Sequence, residues 1–298
     1  MKRISIIIPS YNSYRTIGRT LESLFNQEGL ESGLEVIIVD SSDDGVTKDI
    51  LTRQRSANFQ VIHAEKKLGP ADARNLGAHL TRGEILVFID SDVYPAVDFV
   101  HKILNAFREG YLIGGGAIDI PDSQRTKPIP LAQYFLQFSE YTPSNINRVV
   151  KFIPSCNLWC DKNLFKNIGG FPEIRASEDV LFGLKASQYS NVWFIPDIRV
   201  FHIFREDWSS FLKNQVLLGK YVCIYRRKQY SSEWYYKGIM PLLFLPAFIV
   251  IKFLMITGRI LRSDFFYISR YIVSLPVFLI GLFAWGIGFA KGVFSDEA

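Results

Sequence analysis

Short apolar runs that stop at polar or turn-forming residues recur along the N-terminal part of the chain. Ile4-Ser5-Ile6-Ile7-Ile8 halts at Pro9-Ser10-Tyr11-Asn12, and Val36-Ile37-Ile38-Val39 ends in Asp40 before the cluster Ser41-Ser42-Asp43-Asp44-Gly45. Phe59 to His63 is a weaker run, and Ile85-Leu86-Val87-Phe88-Ile89 leads straight into Asp90-Ser91-Asp92. Continuous runs of this length, rich in β-branched residues, suit strands buried on both faces of a sheet. Between them, Ile17, Leu21, Leu24 and Phe25, and later Ala71 to Leu80, follow helical spacing. Strand and helix alternating in this way predict right-handed βαβ units, hence an α/β fold with a mostly parallel sheet covered on both sides.

Three of these runs deliver polar or acidic residues to their carboxyl ends, where open α/β sheets bind ligands. A packed core gains nothing by collecting carboxylates in one place. Asp90 and Asp92 suit a hard divalent cation, Mg²⁺ or Mn²⁺, which takes oxygen ligands and bridges carboxylates to substrate phosphates. The alternative for this pair is an Asp-x-Asp turn that solvates a strand end.

The chain resembles the family 2 glycosyltransferases of GT-A fold over roughly residues 4 to 220. The resemblance rests on Ser5 to Asn12, on Val39-Asp40 with Asp44-Gly45, on Gly69-Pro70-Ala71-Asp72-Ala73-Arg74-Asn75-Leu76-Gly77 and on Asp90-Ser91-Asp92, followed by Gly169-Gly170-Phe171-Pro172-Glu173 and Ser177-Glu178-Asp179. It implies transfer of a sugar from a nucleotide-diphosphate donor, UDP first among candidates, with inversion at the anomeric carbon. By matching these motifs, Asp40 contacts the nucleobase and Asp44 is a second nucleotide contact, although the acidic stretch before Gly45 is shorter than the commoner family form. Pro9, Tyr11 and Asn12 shape the floor under the nucleoside, Arg74 and more weakly Lys67 hold the donor, and Ser91 lies within the donor-binding set. Asp90, Asp92 and His202 form the metal set. Asp179 is the base that takes the acceptor proton, with Glu178 in support, and Gly170 gives a tight turn close to the donor sugar or the acceptor.

Some residues have a plainer reading beside these. Ser177 with Glu178 and Asp179 also reads as a helix start, with acids in the first turn. Asn157 and Trp159 are candidates for the acceptor side, with core packing as the alternative for Trp159. His63, His79 and His101 fall in no constellation. Gln215 stands where processive relatives begin a Gln-x-x-Arg-Trp motif, but the Arg-Trp pair is missing, so one or few sugars per acceptor are expected.

Apolar content rises sharply near Gly238. Ile239 to Thr257 and Ile272 to Ala290 are each about 19 residues long, the length that crosses a bilayer. The expected organisation is a GT-A nucleotide-sugar-binding domain over 1–204, an amphipathic helical region over 205–237 and a membrane-embedded helical hairpin over 238–298. Trp208 to Tyr230, apolar on one side and basic on the other, suits an anionic leaflet or the surface of the domain. Trp234, Tyr235, Tyr236, Tyr267 and Tyr271 flank the two spans as interfacial aromatics do. Lys252 interrupts the first span, Pro241, Pro246 and Pro276 are expected to kink the helices, and the connecting loop is rich in Arg. An interfacial hairpin or a homo-oligomer sheltering Lys252 would relieve these defects.

A net charge of +5 fits phosphate-bearing ligands and a membrane surface, with no nucleic-acid motif. Met1-Lys2-Arg3 leads directly into sheet sequence with no cleavable leader, so the catalytic part is expected on the cytoplasmic side, where nucleotide sugars are found. Three scattered cysteines suggest neither a disulfide framework nor a zinc site. A nucleotide-cofactor dehydrogenase is disfavoured, because no Gly-x-Gly-x-x-Gly follows the first strand. The resulting expectation is a membrane-anchored, metal-dependent transferase acting on a lipid-linked or membrane-proximal acceptor. The alternative is a non-catalytic, membrane-anchored nucleotide-binding scaffold, in which loss of Asp90, Asp92 or Asp179 would be expected.

Overall fold

The structure is a computed structural model and describes residues 3–27, 34–53 and 58–295. Met1 and Lys2, part of the stretch read for a leader, lie outside the described residues. The chain divides into two compact units, one of residues 1–119 and 146–202, the other of residues 120–145 and 203–298.

The first unit holds β1 (Ile4–Ser10), α1 (Ile17–Phe25), β2 (Leu34–Asp40), α2 (Gly45–Thr52), β3 (Phe59–His63), α3 (Pro70–Leu80), β4 (Ile85–Phe88), β5 (Val93–Pro95), α4 (Phe99–Arg108) and β6 (Ile113–Asp119). After α5 (Pro128–Phe138), which belongs to the other unit, come β7 (Arg148–Val150), β8 (Leu158–Asp161), α6 (Lys162–Ile168), α7 (Glu178–Ala186) and β9 (Val192–His202). The strands form one sheet in the order β3-β2-β1-β4-β8-β6-β9-β5, with β7 paired to β9. The first four are parallel, as the apolar runs predict, and every residue of β4 is fully buried. Beyond β4 the ladder is mixed: β8 runs antiparallel to β4 and β6, while β6 and β9 are parallel. Parallel pairing thus sets β1, β2 and β4 side by side with their carboxyl ends together, which is where Ser10, Asp40 and Asp90 arrive.

The second unit contains α5, α8 (Trp208–Gln229), α9 (Met240–Leu243), α10 (Leu245–Ile260) and α11 (Phe265–Val293). The amphipathic helix α8 turns Phe211, Gln215, Tyr221, Cys223 and Ile224 inward. It packs along α11 through glycines, so closely that a Cβ on Gly219 would land on the Trp285 carbonyl and one on Gly288 on the Val216 carbonyl. Close backbone approach through small residues is a common way for apolar helices to associate. Tyr134 and Phe135 of α5 meet Tyr267 and Tyr271 of α11 at ring separations of 6.0 and 5.4 Å. Tyr236, Tyr267 and Tyr271 are therefore core residues of this unit, while Trp234 is exposed.

The two expected spans are not equivalent. Among the described residues α11 alone, 29 residues long, is long and apolar enough to cross a membrane. The first span is broken at Phe244 into α9 and the 16-residue α10. Pro241 and Pro246 do not kink a helix; each sits in a first turn, where the missing N–H costs nothing, and only Pro276 lies inside a helix. Lys252 is sheltered within the chain itself. Its ammonium donates to the Leu136 carbonyl at 3.4 Å and lies 5.0 Å from the Trp285 ring centre, while Arg259, two turns on, pairs with Glu140 at 2.7 Å.

Candidate active site

At the ends of β1 and β2 the turn residues build a small polar floor. Asn12 adopts φ 50°, a left-handed conformation uncommon outside glycine, and so faces the loop after β2. Its amide donates to Asp43 at 2.6 Å, its Oδ1 accepts from the backbone N–H groups of Asp43 and Asp44, and its own N–H donates to the Ser42 hydroxyl at 2.8 Å. Tyr11 donates to Asp43 at 3.1 Å, and the Lys67 ammonium lies 3.6 Å from the Tyr11 ring centre. The hydrogen bonds from Asn12 and then Tyr11 hold the Asp43 carboxyl below its ordinary value. Asp44 is turned the other way. It caps α2, accepting from the Thr47 N–H at 2.5 Å and the Thr47 hydroxyl at 2.8 Å. Asp43, absent from the sequence-derived set, is the acid that meets Tyr11 and Asn12.

Arg74 lies in α3 with 3% of its surface exposed, and its guanidinium joins two acids from distant parts of the chain. Nη2 donates to Asp90 Oδ1 at 2.5 Å, and Nη1 donates to Glu178 Oε1 at 2.8 Å. Burial by itself would push the guanidinium down; the charges of Asp90 and Glu178 overcome it and raise it above its ordinary value. This forked geometry is one that Arg supplies and Lys does not.

Glu178 and Asp179 open α7, and the residue before them is strained. Ser177 stands at the N-cap with φ 71° and makes no capping hydrogen bond with its side chain. Among the described residues, Asn12 and Ser177 are the non-glycine residues with positive φ, and both border this site. Left-handed backbone at such positions costs about 1–3 kcal/mol and persists where the surroundings enforce it. Asp179 accepts from the Ser155 N–H at 3.3 Å and from the Val180 N–H at 2.8 Å. Its burial, and next the charge of Glu178, push its carboxyl up to about 7, against the pull of Arg74 and the two N–H groups. The buried Cys156 thiol is raised well above its ordinary value by burial and then by Asp90, Asp92 and Asp179, so the three acids share one neighbourhood.

Asp92 faces His202 at 3.8 Å, brought there by the pairing of β5 with β9, in which Val93 and His202 are partners. Among the described residues no three His, Cys, Asp or Glu side chains are grouped to hold a metal ion by themselves. The donor chemistry nevertheless fits one. Asp92 and His202 offer an oxygen and a nitrogen side by side, and Asp90 has one oxygen committed to Arg74, so a cation here would complete its shell from a ligand's phosphates and water.

Gly169 and Gly170, at φ 90° and 74°, form the expected tight turn. The group it approaches is Asn75, whose side chain donates to the Phe171 carbonyl at 2.8 Å and accepts from the Phe171 N–H at 2.9 Å. Asn157 and Trp159 do not line an acceptor side. Both are fully buried, and the Asn157 amide is used within the sheet, donating to the carbonyls of Ala117 and Ile198 at 3.0 Å each. His63, which fell in no constellation, stands beside Asp40 with Nδ1 3.2 Å from Oδ2.

The ends of β1, β2 and β4 and the start of α3 border a cleft of about 220 Å³ lined by Pro9, Tyr11, Ser41 and Leu68 towards the polar floor and by Arg74, Asp90, Ser91 and Asp92 towards the acids; Asp179, His202 and His63 stand outside this lining. The model of Glycosyl transferase family 2 matches residues 5–169. Glycosyltransferase AglE of Haloferax volcanii is 24% identical over 222 residues, covering 73% of this chain and 72% of that protein. The poly(ribitol-phosphate) β-N-acetylglucosaminyltransferase TarS of Staphylococcus aureus is 27% identical over 201 residues, 64% of this chain but only 33% of TarS. Among solved structures, the mannosyltransferase PcManGT of Pyrobaculum calidifontis, in complex with GDP-Man and Mn²⁺, aligns with a TM-score of 0.67 at 15% identity, covering all of this chain and 88% of that one. TarS 1–349 in complex with UDP-GlcNAc aligns with a TM-score of 0.54 at 20% identity, covering 95% and 73%. With the family model spanning more than half of its length and its sheet arranged as in these GT-A structures, the chain belongs to glycosyl transferase family 2 and is a glycosyltransferase.

Proposed function

We propose that the protein is an inverting, metal-dependent glycosyltransferase that moves a sugar from a nucleotide-diphosphate donor, UDP first and GDP second, to a hydroxyl of a lipid-linked or membrane-proximal acceptor, one or few sugars at a time. The observation that carries this reading is the clustering of acids: Arg74 ties Asp90 to Glu178, and the neighbouring Asp179, held by the Ser155 and Val180 N–H groups, has its carboxyl pushed up by burial. A base with a carboxyl at about 7 is matched to taking a proton from an attacking hydroxyl at neutral pH. In a single displacement the acceptor attacks from the face opposite the leaving diphosphate, so one such base suffices.

Each neighbour has a part in that chemistry. Glu178 pairs with Arg74, and Arg74 in turn orients Asp90 at the donor end of the cleft. Asp92 and His202 would hold Mg²⁺ or Mn²⁺, and the ion, when bound, supplies Lewis-acid charge to the departing diphosphate. Pro9, Tyr11, Asn12 and Ser41 give the nucleoside its floor, with Lys67 beside Tyr11 as a cation for the donor. Support for the donor class comes from the UDP-GlcNAc bound to TarS and the GDP-Man and Mn²⁺ bound to PcManGT.

The second unit is read as a membrane anchor that keeps the catalytic unit on the cytoplasmic side. Ile272, Val273, Leu279, Ile280, Phe283 and Ile287 are exposed along one side of α11, and Val250, Ile251, Leu254 and Met255 are exposed on α10. Exposed apolar surface in this quantity marks a contact with lipid or protein. A donor screen tests the reading: the full chain in detergent, with Mn²⁺ and membrane lipid extract, is assayed for nucleotide release from a set of UDP- and GDP-sugars. Release from one donor, abolished by EDTA, is expected; no release from any of them contradicts it.

A further inference from the structure

We propose that His63, rather than Asp40, is the residue that reads the nucleobase, with Asp40 acting beneath it to fix the ring. The inference deepens the nucleotide-sugar reading and rests on it.

Asp40 and His63 are partners in the parallel register of β2 and β3, at the carboxyl ends of neighbouring strands, so their side chains rise on the same face of the sheet. The Asp40 carboxylate is fully used and fully covered. Oδ1 accepts from the Ser42 hydroxyl at 2.6 Å, Oδ2 lies 3.2 Å from His63 Nδ1, and none of the side chain is exposed, whereas 41% of the His63 side chain is. Of the two partners, the imidazole is therefore the one open to a ligand at these strand ends.

The pairing also decides which nitrogen is offered. A carboxylate only accepts, so the proton of the neutral ring sits on Nδ1 and Nε2 keeps its lone pair. A lone pair at Nε2 selects a base that presents an N–H, as uracil does at N3 and guanine at N1, and it gives nothing to a base methylated there. Ser42 completes the support, since its hydroxyl accepts from the Asn12 N–H while donating to Asp40, tying the pair to the floor of the cleft. β3 is the edge strand of the sheet and His63 its last residue, so a change at this position that keeps a donor for Asp40 leaves the core untouched.

The test is calorimetric titration of the full chain in detergent with UDP and GDP and with their base-methylated counterparts, N3-methyl-UDP and N1-methyl-GDP. Wild type should bind UDP or GDP about tenfold more tightly than the methylated form. His63→Ala and His63→Asn should each lower that affinity by about the same factor and no longer separate the two ligands. His63→Asn, which keeps a donor for the buried Asp40, should leave thermal melting unchanged, whereas His63→Ala should lower it. Asn is the informative variant, because its amide can still donate to Asp40 but places no acceptor where Nε2 was. Wild-type affinity in His63→Asn would overturn the proposal and reduce the ring to a brace for Asp40. So would a wild type that does not distinguish the methylated base. Failure of the wild type to bind either nucleotide would defeat the nucleotide-sugar reading itself, and this proposal with it.

Discussion

Arg74 and Glu178, 104 residues apart in the chain, form a buried ion pair at 2.8 Å that fastens the helix after β3 to the helix bearing the proposed base. The same guanidinium holds Asp90, so the acid proposed for the donor and the helix start carrying the proposed base share one cation. Removing one partner of a buried pair leaves an uncompensated charge, which costs about 3–5 kcal/mol. Arg74→Met, which strands two acids, should lower unfolding stability by at least that order in chemical denaturation and abolish turnover. Arg74→Lys should keep part of the stability but little of the activity, because an ammonium lacks the fork.

Asp179 gives the activity a pH signature. With its carboxyl at about 7, kcat/KM should climb through neutral pH on a single acidic limb and level off above it, measured as nucleotide release between pH 5 and 9. The same shift acts on stability in the opposite direction. A carboxyl raised in the folded protein favours folding at low pH and loses that contribution as pH rises through about 7. Asp179→Asn should therefore raise the melting temperature relative to wild type more at pH 8 than at pH 5.

Asp92 and His202 should govern the metal requirement. His202→Ala is expected to raise the Mn²⁺ concentration for half-maximal activity roughly 10- to 100-fold, and Asp92→Ala to remove activity at any Mn²⁺ concentration. Titration of Mn²⁺ into EDTA-treated protein reads both. An unchanged Mn²⁺ dependence in both variants would place the cation elsewhere.

The packing of α8 on α11 makes a prediction about the second unit alone. A side chain on Gly219 or Gly288 meets a backbone carbonyl, which cannot move aside as a flexible side chain does. Gly219→Val should destabilise this unit by about 1–3 kcal/mol or more, seen as a lower melting temperature in detergent. Gly258, with open space around its Cβ position, should accept Ala without such a loss.

Much of this was legible in the order of residues. The apolar runs of β1, β2 and β4 and the acids that end them are local signals, and a buried parallel strand writes them continuously. The pairing of Asp40 with His63 was not legible, because it depends on the register of two strands rather than on spacing along the chain. Arg74 reads in sequence as a donor contact, and only the folded chain brings it to Glu178. Asp44 matched a nucleotide-binding motif but stands where a helix needs its cap, and local hydrogen bonding to Thr47 wins. The apolar segment after Gly238 looked like one span by composition, yet Pro246 opens a new helix there. Hydropathy records how apolar a segment is, and it does not record where the backbone stops being one helix.

The central claim is that Asp179 takes the acceptor proton beside a donor held at Asp90 and Asp92. Paired measurements on Asp179→Asn test it most directly: nucleotide affinity by calorimetry and sugar transfer with the donor that wild type uses. Affinity within about twofold of wild type with turnover reduced roughly a hundred- to ten-thousand-fold is the expected result. Transfer at the wild-type rate would contradict the account.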